Sequence, residues 1–380
     1  MGCCQLQKNS EITTTEIETT KVKSRNKTTI NYKNEGGLLN LNTANNTLFK
    51  EEDIYNTSNP EEIGAPLEIA KEMPIDSIYF KVKASSEEKM YPIWVEKGTV
   101  IQIRVSGKWN CLEDLEDFNC EGAKITIEEI NDNFNLGALC GFILGGEAFS
   151  ITENCSFTSQ CSGPLILYQN NGNFLVSPIG FLHFFIHGAV HMSLIEIETK
   201  LGWEITLIDT CSDKTYMKEE EKKLIYILNK LRSNPQLFAK LYIENKKQQS
   251  DAYIETYEYL TNCEPREVFQ TNEAIYKVAK NHAIDMGENK MTGHISSNGN
   301  DINTRFANED LHPTTIPFGE NCSYGLMDTM SIVIQLIVDE GHPNKGHRHN
   351  LMNKDYNFIG VSIQNHEEYG VNCVQNFAKF

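Results

Sequence analysis

The 380-residue sequence predicts an α/β multidomain chain: a disordered N-terminal tether, a central all-β sandwich and a C-terminal α/β/α sandwich. Three observations predict it. Residues 5 to about 75 are rich in Asn, Thr, Glu and Ser and poor in large apolar side chains. From Ile78 short runs alternate apolar and polar residues, the period of half-buried strands. Beyond about residue 216 the period becomes helical, and the chain closes on a hairpin pattern. The domain limits that follow are 1–75, 76–212 and 216–380.

The bulk numbers narrow the function classes. The chain is 40% hydrophobic and 23% charged, with a net charge of −18. A surface that acidic repels phosphate backbones, so nucleic acid is excluded as a partner. No run reaches the roughly 18 apolar residues of a membrane-spanning helix. The 11 cysteines are odd in number and form no CxxC pair, so neither a zinc ribbon nor a disulfide-framed small module is expected. Cys111 with Cys120, and Cys155 with Cys161, are close enough in sequence to pair in an oxidising compartment.

The tether opens "MGCCQLQKNS". Gly2 follows the initiator Met, as N-myristoylation requires, although Leu6 stands where Ser or Thr is usual. Cys3 and Cys4 are placed for palmitoylation, and Lys21, Lys23, Arg25 and Lys27 form a basic cluster. One acyl chain anchors only marginally, so the second signals matter. No apolar run near the start suggests a secretory leader. A peripheral protein on the cytoplasmic face of a membrane, in contact with its lipids, is therefore expected, with secretion as the alternative. The Asn-rich stretch to residue 75 cannot bury enough surface to offset its ordering entropy.

In the middle region "SIYFKVKA", "TVIQIRVSG", "HMSLIEIE" and "WEITLID" all alternate, and each is expected as a strand. "HFFIHGAVH" spaces His183, His187 and His191 by four, but its aromatic and β-branched neighbours favour a strand, which separates them. The succession "YPIWVEKGTVIQIRVSGKW", "NLGALCGFILGGEAFSI", "SGPLILYQNNGNF" resembles the galactose-binding-like jelly rolls related to bacterial galactophilic lectins, over residues 76–190. The resemblance implies sugar or calcium contacts at Asn170, Asn171 and Asn173, and so a carbohydrate partner; a docking surface for a protein is the other reading. Amides alone make a weak calcium site, so calcium is not expected.

The C-terminal region begins with "TYMKEEEKKLIYILNKLRSNPQLFAKLY", a helix with Thr215 as its expected cap and Pro235 ending the run. "NEAIYKVAKNHAIDM" is a second amphipathic helix with His282 on its buried stripe, where a histidine is ordinarily a satisfied core residue. "DTMSIVIQLIVDEG" is apolar almost all round and so a buried helix. Asp339 continues its Ile332–Leu336 spacing, which puts a carboxylate in the interior, where it needs a metal, an imidazolium or ordered water. "NFIGVSIQNHEEYGVNCVQNFAKF" is a hairpin turning at His366–Gly370.

These segments in this order resemble the CAP superfamily of cysteine-rich secretory, antigen-five and pathogenesis-related proteins. The matching motifs are "LNKLRSNP", "AKNHAIDM", "MTGHISSNGNDINTRF", "FGENCSYG", "IVDEGHPNKGHRHNLMN" and "IGV", closing with "NCVQNFAKF". The resemblance implies a CAP-type α/β/α sandwich over 216–380 and a cleft holding His294, Glu320, His347 and Asp339, with Glu340 as substitute for the second acid. Two imidazoles and two carboxylates suit a divalent metal, zinc foremost, with water in an open position. His312, His342 and His349 match no motif and are expected at the surface. The family implies a binding or signalling role, with a lipid or peptide-like ligand, more than an enzymatic one. The alternatives are a metal-dependent hydrolase and a secreted carbohydrate-binding defence protein.

Overall fold

The computed structural model describes residues 66–84, 89–110, 117–123, 134–170, 179–312 and 317–380. The acylation candidates Gly2, Cys3 and Cys4, the two asparagines Asn171 and Asn173, and Cys111 lie outside the described residues.

A one-turn helix α1 (Leu67–Ala70) leads into the sandwich. Its strands are β1 (Ile78–Lys83), β2 (Lys89–Val95), β3 (Val100–Asn110), β4 (Leu139–Ile143), β5 (Phe149–Ser150), β6 (Asn154–Thr158), β7 (Gly163–Gln169), β8 (Ile179–His187) and β9 (Val190–His191). They form two sheets, ordered β1-β8-β3-β6 and β5-β4-β7-β2-β9. Alternation does what the sequence implied: Phe80, Val82, Ile101, Ile103 and Val105 turn inward to meet Ile93, Leu165 and Leu167 of the other sheet. Outward positions of β3 carry Gln102 and Arg104 instead.

Two segments expected as strands are helices. "HMSLIEIE" and "WEITLID" give α2 (Leu194–Leu201) and α3 (Ile205–Ile208). Ser193 caps α2 in a reciprocal capping box with Glu196, and Gly202 ends it in the left-handed conformation. Ile197 is buried while Ile195 is exposed, which a shared strand face would not allow. These helices lie inside the 76–212 segment, yet they pack with both neighbours. Phe142, Leu144 and Ile166 of the sandwich, Trp203 and Ile208 of this segment, and Tyr226, Leu241 and Val268 beyond it form one buried cluster.

The C-terminal part contains α4 (Glu219–Ser233), α5 (Pro235–Tyr242), α6 (Asp251–Thr261), β10 (Gln270–Thr271), α7 (Glu273–Asn289), α8 (Ile302–Asn308), β11 (Phe318–Tyr324), α9 (Thr329–Val338), α10 (Gly346–Leu351), β12 (Phe358–His366) and β13 (Gly370–Ala378). Lys218, not Thr215, is the N-cap of α4, because the Glu221 carboxylate reaches back to accept the Lys218 N–H at 2.8 Å. Pro235 stops α4 and also opens α5, where its missing N–H costs nothing.

The sheet order β10-β12-β13-β11 makes the middle of three layers. On one side α4 and α9 press Leu224, Leu228, Ile332 and Leu336 against Ile359, Val361, Cys373 and Phe377. On the other, Ala279, Ala283 and Met286 of α7 meet Cys322, Tyr324 and Val374. The backbones of α7 and β12 approach so closely that a Cβ on Gly360 would lie 2.4 Å from the backbone of Ile275 and Tyr276. Arg232 is fully buried and donates to the carbonyls of Glu267, Leu351, Asn353 and Tyr356, at 2.6 to 3.0 Å. One guanidinium thus fastens α4 to the loop that follows α10.

Candidate functional site

The two loops around β11 bring the sequence-predicted side chains into two acid–histidine pairs. In the first, Glu320 on β11 is fully buried and holds three partners. His294 Nδ1 lies 2.9 Å from Oε1, while Arg305 Nη2 and Asn376 Nδ2 donate to Oε2 at 2.6 and 2.9 Å. Burial works against the Glu320 charge, but the hydrogen bond from His294, the Arg305 guanidinium and His282 together hold its carboxyl down at about 2. Arg305 comes from α8, whose N-cap Asp301 accepts the Thr304 N–H, and it also donates to the carbonyls of His294 and Asn300. The His294 loop is therefore fastened to the same guanidinium that neutralises Glu320.

The second pair depends on how α9 ends. Asp339 follows the helix in the left-handed conformation, φ 52°, rather than on its stripe, and is fully buried there. Its Oδ2 accepts the backbone N–H of His347 at 2.9 Å, near the start of α10. Its Oδ1 lies 2.7 Å from His347 Nδ1. Burial again opposes the charge, and the hydrogen bond from His347 and the backbone N–H groups keep the Asp339 carboxyl below its usual range. Arg348 closes the same corner by donating to the carbonyls of Ile337 and Val338, satisfying the end of α9.

The pairs are coupled through amides. Asn321, next to Glu320, donates to the His347 carbonyl at 3.3 Å, and Asn350 donates to the Glu320 carbonyl and to Asn321 Oδ1. Each histidine gives Nδ1–H to a carboxylate, so each neutral ring carries its lone pair on Nε2. His347 Nε2 is buried and, among the described residues, has no hydrogen-bond partner.

Glu340, the substitute acid, is exposed, whereas its neighbour Asp339 is the one engaged. His282 is buried with its nitrogens against Ser296 Oγ and the Gly293 carbonyl, and burial holds the ring below its usual value. His312 contributes to neither pair, and His349 is exposed. His342, expected at the surface, is half-buried: its Nδ1 is 3.2 Å from Asp339 Oδ1, and its ring meets that of His347 edge-on at 5.2 Å. The signal was the D-x-x-H spacing in "DEGH", legible only once Asp339 is known to end the helix. Cys322 was also missed; it is buried, donates to the Gly293 carbonyl and lies 3.8 Å from His294 Nδ1.

In the sandwich, Asn170 is buried and its amide donates to the carbonyls of Phe134 and Asn135, so it braces the 134–138 turn. His183, His187 and His191 stand on β8 and β9, with His187 beside Asp76. A separate groove of about 960 Å³ lies between residues 142–149 and 157–161 and the side chains of Lys240 and Lys247, and none of the predicted cleft or sugar-site residues lines it.

Residues 269–377 match the model of CAP, the cysteine-rich secretory protein family, and the C-terminal domain is a CAP domain. No curated protein matched the chain. Among solved structures, an outer surface protein of Borrelia burgdorferi is 21% identical, covering 43% of this chain and 93% of its own, at a TM-score of 0.30. An extracellular protein of Bacillus anthracis containing an SCP domain is 14% identical, covering 58% and 53%, at 0.30. The PllA-like lectin N-terminal domain of EclA is 19% identical, covering 29% and 93%, at 0.24.

Proposed function

We propose that this chain is a membrane-tethered binding or signalling protein whose CAP-domain cleft takes a divalent metal, zinc by its donor type, with a lipid or peptide-like ligand. The observation that carries the metal reading is the buried, unpartnered Nε2 of His347. Leaving such a group unsatisfied costs about 1–3 kcal/mol, which a bound ligand would offset. His294 and His347 would hold the metal through Nε2, while Glu320 and Asp339 fix the tautomer from behind, as carboxylates behind metal-bound imidazoles do. The metal would supply an open position and Lewis-acid polarisation for a ligand oxygen. Burial of Cys322, the thiol beside His294, supports binding over nucleophilic chemistry. Acylation at Gly2, reinforced by Cys3 and Cys4, supplies the tether, and the cytosolic leaflet the membrane.

Calorimetry on the chelator-treated full chain tests the metal. One equivalent of zinc should bind, and His347→Ala should abolish it. Full binding in His347→Ala would overturn the reading. For the tether, alkyne-myristate should label the wild type and carry it into the membrane pellet, and Gly2→Ala should leave the protein soluble; a Gly2→Ala chain that still pellets would exclude acylation as the anchor.

A further inference from the structure

The Nδ1 edge of His347 offers a second arrangement. Asp339, His342 and His347 each place a ligand atom within 4.8 Å of the others, on one nine-residue turn. Two of them are fully buried, and His342 is half-buried, which gives the cluster one side open to solvent. Both imidazoles bring Nδ1 close to the same oxygen, Asp339 Oδ1, at 2.7 and 3.2 Å; His342 Nδ1 is also 3.2 Å from the Glu340 carbonyl, a contact that ligation would replace. Ligand atoms around a tetrahedral zinc, bound at about 2.0–2.1 Å, lie about 3.3 Å from one another. Of the three separations, one matches that spacing at 3.2 Å, one is shorter at 2.7 Å, and the third, between the two imidazoles, is within 4.8 Å, so side-chain adjustment would close the seat around an ion. Asp339 is held by the His347 N–H on its other oxygen, and the turn doubles back through positive φ at Asp339, Gly341 and Lys345. Lys345 Nζ donates to the Asp339 carbonyl and sits 3.5 Å from Glu255, so its charge is spent away from the carboxylate oxygen in question.

We propose that Asp339, His342 and His347 form a second divalent-metal seat, of the two-histidine, one-carboxylate type, which competes with the cleft seat for the same imidazole. The competition follows from tautomers. In the cleft seat His347 ligates through Nε2 and keeps its proton on Nδ1, donated to Asp339. In the turn seat Nδ1 ligates, the proton moves to Nε2, and the lone pair that faced the cleft is gone. His342 likewise ligates through Nδ1 with its proton on Nε2. No proton leaves either ring, the aspartate is already ionised, and the neutral His347 ring serves one seat at a time. A water completes the fourth position on the open side. This inference rests on the metal reading above only for His347 and Asp339; His342 belongs to it alone, and His294 only to the cleft.

That division gives the test. The full chain, stripped with chelator, is titrated with zinc by calorimetry and with cobalt(II) by visible absorption. The wild type should bind one equivalent. His294→Ala should still bind one equivalent, now through the turn seat, with a cobalt spectrum of nitrogen and oxygen donors. Adding His342→Ala to His294→Ala should weaken that binding by more than about a hundredfold, beyond the effect of losing an outer-shell partner. Metal-free, His294→Ala should melt somewhat below the wild type because the buried Glu320 loses one of its three partners, and adding His342→Ala should lower that melting point little further, so the loss of binding is read against the His294→Ala parent. Loss of all binding in His294→Ala alone sinks the turn seat and leaves the cleft reading standing. Binding that survives the double variant removes both. Two equivalents on the wild type would break the exclusion argued from the shared ring.

Discussion

Lys230 on α4 is the strongest point at which the C-terminal domain and the residues before it depend on one another. Its ammonium lies 2.8 Å from Glu198 Oε1 on α2 and 2.9 Å from Tyr242 Oη, and 4.2 Å above the Trp203 ring. The side chains of Lys230 and Glu198 are 4% and 8% exposed. Lys230→Met keeps most of the packing but strands the Glu198 carboxylate with Tyr226 as its remaining close donor. Removing one partner of a buried pair costs about 3–5 kcal/mol, because the other charge stays desolvated. The folded-to-unfolded ratio should fall by about two to three and a half decades. Urea unfolding at pH 7, followed by far-UV dichroism and by tryptophan emission, measures it. Glu198→Gln on the same background removes the stranded charge while leaving an acceptor for Tyr226. The double variant should then be more stable than the sum of the two singles by about 2 kcal/mol or more, within the range of contacting pairs. A loss below about 1 kcal/mol for Lys230→Met, typical of exposed pairs, or simple additivity of the two changes, would refute the reasoning.

Three further outcomes follow from other contacts. Glu320 is held at about 2 in the folded chain against an ordinary value of 4.5, so its contribution is complete above about pH 4.5 and is lost as pH falls toward 2. Glu320→Gln should cut the stability lost between pH 7 and pH 3 by about 2 kcal/mol, at 1.36 kcal/mol per unit, and an unchanged acid limb of the denaturation profile would contradict this. Arg232→Lys cannot reproduce four carbonyl contacts with one ammonium and should cost more than about 2 kcal/mol, read as a shift in the urea midpoint; a shift within error would show the carbonyls finding other donors. A fragment beginning at residue 216 exposes the faces of Tyr226, Leu241 and Val268 that meet Trp203 and Ile208, so it should melt below a fragment beginning at 193, and equal melting points would argue for independence of the two parts.

Much of the architecture was legible because burial imposes a period. α4, α7 and α9 each present apolar residues at helical spacing, and the β12–β13 hairpin alternates across a sheet covered on both faces. The two misread segments fail for a physical reason. In "SLIEIETKL" the apolar positions satisfy a period of two as readily as one of 3.6, so periodicity is silent over so few residues. The deciding information was at the ends: Ser193 with Glu196 three residues on, and Gly202 just past the last turn. Capping chemistry, not hydrophobicity, separates the two conformations there. Thr215 shows the same in reverse, since a good capping residue stood three positions early and the helix began where a carboxylate could reach back to Lys218.

The site divides along another line. Motif matching supplied His294, Glu320, His347 and Asp339 as residues, but which acid stands behind which imidazole depends on tertiary contacts between β11, α8 and the α9–α10 turn. Both oxygens of Glu320 are occupied, by His294 on one side and by Arg305 and Asn376 on the other. A metal on Glu320 Oε1 would displace only the His294 contact, while Oε2 stays committed to the buried Arg305 guanidinium and to Asn376. As it stands, that Oε1 contact holds His294 in one tautomer. Asp339 is differently placed: Oδ2 is fixed by the backbone of α10, and Oδ1 faces two imidazoles at once. The two acids of the cleft are thus unequal: Glu320 faces one imidazole through Oε1 with a guanidinium held on Oε2, whereas Asp339 faces two imidazoles through Oδ1 with backbone N–H on Oδ2.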